Sequence, residues 1–311
     1  MMLHFWVFSY NRGRFLRNCV SSIHYCAPHS RISIFDDNSD DPETLEVLAQ
    51  LSQLCDIAYP PVSSSAARHK HGRLYVNMQS AYELMSSEET YCFLQDDMQL
   101  VRPIDKRELE DIVGHYAKNA NAGFIHPAFL KRAGRKLDTH GVRFNPDLGG
   151  YTSDNTSRSV GVYYADVHIA NVHRLREASW QFLNHEHSNE AAARKIFSRM
   201  LYLKNPFCAW LPNVPAYRGK RQTYALRFAM RQSRVGFFPI RFLNHAENLS
   251  FTNRNASDLP QAERYLSLSD TGIEIAWTYH PLQGKRLLKW AHGAELHVRR
   301  LISGLSNRAN K

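Results

Sequence analysis

Apolar positions along the chain follow two patterns. Short unbroken apolar runs of strand length stand at 3–9, 31–35 and 90–94, and stretches of helical period lie between them. The first run, LHFWVFS, breaks at the polar turn Tyr10-Asn11-Arg12-Gly13-Arg14. Phe15, Cys19, Ile23 and Cys26 then recur at spacings of four, four and three, which predicts a helix over 15–26. A second strand over 31–35 runs into Asp36-Asp37-Asn38-Ser39-Asp40-Asp41. Pro42-Glu43-Thr44 opens another helix to about residue 53, with Pro near its first position and acids in its first turn. Residues 60–71 are polar and irregular and read as a mobile loop. Residues 72–85 read as an amphipathic helix carrying Arg73 and Asn77, and 90–94 as the strand that delivers Gln95-Asp96-Asp97.

Further along, Asp105 is placed to cap a helix over 105–119, and 123–127 reads as a strand. Residues 131–158 are weakly patterned and suit a loop or small hairpins over a site. Residues 160–173 alternate and predict a strand centred on 163–168. Short helices are expected at 174–182 and 191–202, and a strand at 237–243. The alternation of strand and helix predicts an α/β fold with a mostly parallel, Rossmann-like central sheet flanked by helices, followed by a basic helical C-terminal extension. Residues 1–250 are expected to form the principal domain and 251–311 the extension.

Composition narrows the class. The chain has 311 residues, 43% hydrophobic and 22% charged, which suits a folded protein with a sizeable core. No run of about 18 apolar residues is present, and the N-terminus reads as a strand rather than a signal peptide, so cytoplasmic residence is the expectation. The five cysteines have no metal-type spacing and are expected to be reduced. The net charge of +10 is uneven. Residues 1–160 hold 17 basic against 19 acidic side chains, and 161–311 hold 22 against 10. A basic second half implies an anionic partner, although a merely solvated basic face is the plainer reading. From residue 281 onward, seven Lys and Arg stand against the single acid Glu295, beside an apolar side that includes Leu287, Trp290, Val298 and Leu301. Such a helix either lies at an anionic membrane surface or packs on the domain. No aromatic-interleaved nucleic-acid motif is present, so nucleic acid is disfavoured.

The candidate chemistry lies in YCFLQDDMQ at 91–99. Two adjacent carboxylates at the end of a buried strand either form a solvated turn or hold a divalent cation that grips phosphate oxygens. In open parallel sheets ligands bind beyond the carboxyl ends of strands, where Tyr10-Asn11-Arg12 and Asp36-Asp37 also fall.

Together, Ser9-Tyr10-Asn11-Arg12, Asp36-Asp37-Asn38-Ser39 followed by Glu43-Thr44-Leu45, and Gln95-Asp96-Asp97 resemble the family-2-type inverting glycosyltransferases of GT-A fold. The resemblance covers roughly residues 3–110, and 160–200 more weakly. It implies transfer of a sugar from a nucleoside diphosphate donor, with UDP favoured, to a glycan or lipid-linked acceptor in cell-surface polysaccharide synthesis. It implies that Tyr10 lines the base with Arg12 beside it, that Asp37 bonds the base, and that Arg73 lies near the diphosphate. Asp96 would contact the ribose or sugar, and Asp97 would ligate Mn²⁺ or Mg²⁺. Gln95 stands where the family's D-x-D motif has its first acid, which leaves the metal resting largely on Asp97. His245 is a further metal candidate. The resemblance places the acceptor-side base at Glu190, with Glu186 the second choice, while a plain helix first-turn acid explains Glu190 equally well. Asp166-Val167-His168 resembles an acceptor-side element. The alternative is a non-catalytic basic α/β module for anionic lipid or nucleic acid.

Overall fold

A computed structural model describes residues 3–60, 73–131, 138–155, 160–215, 222–270, 277 and 280–309, with side chains described as far as residue 300. Most of the loop expected at 60–71, residues 132–137 and 156–159 of the second loop, and residues 216–221 of the basic second half lie outside the described residues.

In chain order the elements are β1 (Leu3–Ser9), α1 (Gly13–Cys26), β2 (Arg31–Asp36), α2 (Pro42–Leu51), β3 (Asp56–Ala58), α3 (Leu74–Leu84), β4 (Thr90–Gln95), β5 (Met98–Leu100) and α4 (Lys106–Lys118). There follow β6 (Ile125–His126), β7 (Val142–Asn145), β8 (Gly150–Ser153), β9 (His168–Asn171), α5 (Val172–Glu177), α6 (Glu186–Ile196), β10 (Leu201–Leu203) and β11 (Cys208–Trp210). The last are α7 (Tyr224–Gln232), α8 (His245–Thr252), α9 (Ala262–Tyr265) and α10 (Arg286–Ala309).

Nine strands form one sheet in the order β3-β2-β1-β4-β9-β6-β10-β8-β7. The run β3-β2-β1-β4 is parallel throughout, and only β9 and β8 run against the rest, so the α/β expectation of a mostly parallel sheet holds among the described residues. β1 lies at the centre of the parallel half, and its alternate side chains serve two layers. Leu3, Phe5 and Val7 pack with residues of α1, α2 and α4 on one face. Trp6 and Phe8 pack with residues of α3, α5 and α6 on the other. A strand buried on both faces reads as a continuous apolar run, which is why β1 was legible as one. Each large side chain buried there contributes about 1.5–3 kcal/mol.

Local chemistry sets several boundaries. Asp41 caps α2 by accepting from the Thr44 amide at 2.9 Å, and Asp105 forms a capping box with Glu108 at the start of α4. Gly13 begins α1 where a Cβ would lie 2.7 Å from the Glu43 carbonyl oxygen, so the N-termini of α1 and α2 meet at a spacing only glycine permits. All five cysteines are buried and free.

Four expectations are corrected. The strand predicted around 163–168 begins only at His168, because the amides of Val162, Tyr163 and Tyr164 donate to the Glu190 carboxylate instead of to a ladder. The helix predicted over 191–202 starts five residues earlier, at Glu186, and gives way to β10. No strand forms at 237–243, which makes only an isolated antiparallel bridge from Ile240 to Leu268; the Gln99 side chain takes both backbone groups of Ile240, donating to its carbonyl at 2.5 Å and accepting from its amide at 2.9 Å. Nor does the chain part company with the sheet at 250. Phe251, Ala262, Leu266 and Leu268 share a core with Val101, Phe129 and Leu211, so residues up to 268 belong to the main body.

Candidate functional site

Parallel pairing brings the expected motifs to one sheet edge. The Asp37 amide donates to the Ser9 carbonyl at 2.9 Å, and the Asp96 amide to the Phe8 carbonyl at 3.0 Å. The turns after β1, β2 and β4 are thereby adjacent. The first two are locked together. Asn11 and Asn38 take left-handed backbone conformations (φ 50° and 57°), which asparagine tolerates better than most residues. The Asn11 side chain donates to Asp40 at 2.6 Å and accepts from the amides of Asp40 and Asp41, while its own amide donates to Ser39 Oγ at 2.9 Å. Buried Asp36 accepts from the amide and the hydroxyl of Ser39, both at 2.7 Å. Burial raises its pKa, with these two bonds opposing.

Asp37 faces α3. Burial pushes its carboxyl above the usual range, against the Asn77 side-chain hydrogen bond and the Arg73 charge and amide, which pull it down. Asp37, Arg73 and Asn77 are thus one group, assembled from two elements. Asn77 itself is 3% exposed, far drier than a polar residue on an outward face.

The acidic pair is bridged by Arg12. Its Nη1 donates to Asp97 Oδ2 at 2.8 Å and to Asp96 Oδ1 at 3.3 Å, and its Nη2 to the Pro215 carbonyl at 3.0 Å. The Tyr10 amide reaches Asp96 Oδ2 at 3.4 Å. Burial works against the Arg12 charge, but Asp96 and Asp97 outweigh it and its pKa lies above the ordinary value. Arg12 is therefore more than a neighbour of Tyr10: it compensates both carboxylates. Asp97 Oδ1 remains buried with no hydrogen-bond partner. One such oxygen beside a second carboxylate fits a cation shared with phosphate oxygens, not a cation held by protein alone. Among the described residues no group of three His, Cys, Asp or Glu side chains is placed to hold a metal. His245, the further metal candidate, is exposed at the first turn of α8.

On the far side of β4, β9 runs antiparallel with Phe93 opposite His168. His168 opens β9, so Asp166 enters it two residues earlier, at the end of the sheet where β4 finishes. The Tyr75 hydroxyl donates to Asp166 Oδ2 at 3.1 Å, and Glu186 lies beside the same hydroxyl. Burial, then Asp166, drive the Tyr75 phenol upward. Tyr75 is the site residue that sequence reasoning missed; its signal was its place two residues after Arg73 and two before Asn77.

Glu190 does not stand in this group as an accessible base. It is 2% exposed, and its Oε2 accepts from the amides of Val162, Tyr163 and Tyr164 at 3.2, 3.0 and 2.8 Å. Arg194 lies 3.6 Å from Oε1. The first-choice base is instead a clamp on the segment leading to Asp166, because an acceptor hydroxyl has no route to a carboxylate so enclosed. Glu186, half-buried at the start of α6, remains open to the role.

His168 is a core residue. Its Nδ1 donates to the Ala165 carbonyl at 2.8 Å and its Nε2 accepts from the Tyr91 hydroxyl at 3.2 Å, with Phe93, Phe124, Tyr164 and Phe182 around the ring. Burial lowers its pKa to about 3, against the Ala165 bond, which raises it. The folded state therefore binds fewer protons than the unfolded one between these values. Stability from neutral His168 is fully present above about pH 6.5 and drains at about 1.4 kcal/mol per unit as pH falls towards about 3. In thermal melts His168→Gln should show a flatter acid limb than the parent protein; equal slopes would refute the assignment.

No family model matches the chain, and no curated protein matches it. Among solved structures it is similar in backbone to S. aureus TarS, at 12% identity over 68% of this chain and 36% of TarS, TM-score 0.49. It is similar to the mannosyltransferase PcManGT from Pyrobaculum calidifontis, in complex with GDP-Man and Mn²⁺, at 9% identity over 74% of this chain and 61% of that one, TM-score 0.44. For the galactosyltransferase LgtC in complex with donor and acceptor sugar analogues, the figures are 11%, 64%, 73% and 0.37. The chain thus spans about a third of the length of TarS and about three fifths of that of PcManGT.

Proposed function

We propose that the protein is an inverting glycosyltransferase of the GT-A type, moving a sugar from a nucleoside diphosphate donor to an acceptor hydroxyl. The observation that carries this reading is the row of carboxylates on one sheet edge: Asp37 after β2, Asp96 and Asp97 after β4, and Asp166 before β9. Tyr10 lines the base and Asp37, oriented by Arg73 and Asn77, bonds it. Arg12 and Arg73 receive the diphosphate. Asp96 contacts the ribose or sugar. Asp97 would hold Mn²⁺ or Mg²⁺, which when bound would offset charge on the departing diphosphate. Glu186 takes the proton of the acceptor hydroxyl. The acceptor oxygen bonds to the anomeric carbon as the bond to the phosphate oxygen breaks, and the nucleoside diphosphate leaves with that electron pair. The acceptor is a glycan or lipid-linked sugar of cell-surface polysaccharide, and the reaction takes place on the cytoplasmic side. The main body carries the catalytic site, and α10 is a basic extension outside it.

Calorimetry and thermal shift with UDP-, GDP-, CDP- and dTDP-sugars, each with and without Mn²⁺, test the reading. One base should be preferred, and saturation at about 100 times Kd should stabilise the fold by about 2.7 kcal/mol. Asp37→Ala should weaken that binding at least about tenfold, the equivalent of one lost hydrogen bond to a charged or polarised group. Absence of binding by every nucleotide sugar under both conditions would refute it.

A further inference from the structure

α10 has two stripes, and only one of them is used. Lys285, the residue before α10, and Leu288, His292, Glu295 and Arg299 recur at three and four residues and meet α7 and its flanks. Lys285 Nζ donates to the Ala229 carbonyl at 3.2 Å, and Leu288 packs against the small core of Leu226, Ala229 and Leu282. His292 Nδ1 pairs with Thr223 Oγ1 at 2.7 Å, and Glu295 accepts from the Tyr224 amide at 2.7 Å. Arg299 pairs with Glu295 and donates to the Gln222 carbonyl at 3.2 Å.

The second stripe faces solvent. Leu287 is 84% exposed, Trp290 75% and Val298 52%, with Ala294 exposed between them. Spacings of three, four and four put these positions in one arc of the helix, of about 80° at about 100° per residue. Arg286, Lys289 and Arg300 are exposed to one side of it, about 40–100° from its edge. Glu295 is the single acid of α10, and it is engaged on the packed side. The neighbouring α7 exposes Tyr224 and Phe228 at 69% and 59%, together with Arg227 and Arg231.

We infer that this face of α10 docks on an anionic lipid surface, lying in the plane of the bilayer interface. A narrow apolar stripe carrying Trp, with exposed cations along one side, matches what an interfacial helix requires. The charge decides between occupants. A second copy of the same face would bring cations against cations with no free acid to pair them, whereas anionic headgroups complement the flank. No described helix is long and apolar enough to cross a membrane. The inference concerns binding alone and stands apart from the transferase reading, because its test needs no substrate.

The test is co-sedimentation of the full chain with phosphatidylcholine vesicles, with and without about one third phosphatidylglycerol, at low and high salt. Binding should require the anionic lipid and weaken at least about tenfold at high salt. Leu287→Ser with Trp290→Ser should weaken it at least about tenfold with an unchanged melting temperature, because both side chains are already in water. Charge reversal by Arg286→Glu with Lys289→Glu should do the same. Trp290 is the most exposed tryptophan described, so vesicles should shift tryptophan emission to the blue, and Trp290→Phe should remove most of that shift. Failure to bind anionic vesicles, equal binding to neutral ones, or full binding by the double serine variant would overturn the inference. A dimer in sedimentation velocity that Trp290→Ser dissolves, without vesicle binding, would assign the face to a second copy instead.

Discussion

Asp97→Ala should lower transfer from the nucleotide sugar by about 100- to 1,000-fold, the size of effect that follows loss of one preorganised electrostatic contact to a leaving group. Two consequences of the substitution act together. It removes a buried carboxylate oxygen, Asp97 Oδ1, that has no hydrogen-bond partner and shares Arg12 with Asp96. It also releases Arg12 from its 2.8 Å contact. Arg12 is not stranded, since Asp96 and the Pro215 carbonyl remain, so the fold should tolerate the change. Comparison with Arg12→Ala separates the two. If Asp97 acts through a cation, its variant should lose the Mn²⁺ dependence of donor binding, while Arg12→Ala keeps that dependence and loses affinity. Turnover by Asp97→Ala within about threefold of the parent protein would end the metal role, since such a change is below the effect of losing any contact made in the transition state.

Glu190→Ala is expected to be the most destabilising single change at the site. Three amides converge on one oxygen, in a segment where Val162 is 5% and Tyr164 0% exposed. Each buried donor left unsatisfied costs about 1–3 kcal/mol, so the substitution should cost about 3–5 kcal/mol after partial relaxation. For a chain of this size that lowers Tm by roughly 5–8 °C. Glu190→Gln distinguishes a clamp from a base. A side-chain amide keeps one carbonyl oxygen for the three donors but cannot take a proton. A clamp predicts that the Gln variant recovers much of the stability and keeps kcat within a few-fold. A base predicts normal stability and a collapse of kcat. Glu186→Gln should show the reverse pattern from the clamp: an ordinary melt, a large fall in kcat, and loss of the acid limb of the pH–rate profile.

The legible part of this protein was its parallel half. Strands buried on both faces announce themselves as apolar runs, and the helices between them carry capping residues, as at Asp41 and Asp105. The turns after β1, β2 and β4 were readable as a set because a parallel sheet delivers strand ends to one edge. Beyond residue 160 the pattern misled. Alternation at 160–167 resembled a strand, but its amides are taken by Glu190, 26–28 residues away. The apolar run at 237–243 resembled a strand, but it makes only an isolated bridge between Ile240 and Leu268, and Gln99, 141 residues earlier, takes both backbone groups of Ile240. Neither partner leaves a trace in the local pattern.

The same division runs through the site. The sequence by itself determined which chemistry stands at each strand end: Tyr10 and Arg12, Asp37, Asp96 and Asp97. Local periodicity and strand order suffice for that. Only the tertiary structure decided the roles within the set. It made Arg12 the counter-charge of both carboxylates, joined Asp37 to Arg73 and Asn77, drew Tyr75 and Asp166 together, and turned Glu190 from a base into a clamp. It also separated the two stripes of α10, leaving Leu287 and Trp290 in water. The physical reason is common to all of these. Burial, pairing and accessibility are properties of contacts between residues far apart in the chain, and a hydrogen bond or an ion pair changes what a carboxylate can do without changing its place in the sequence.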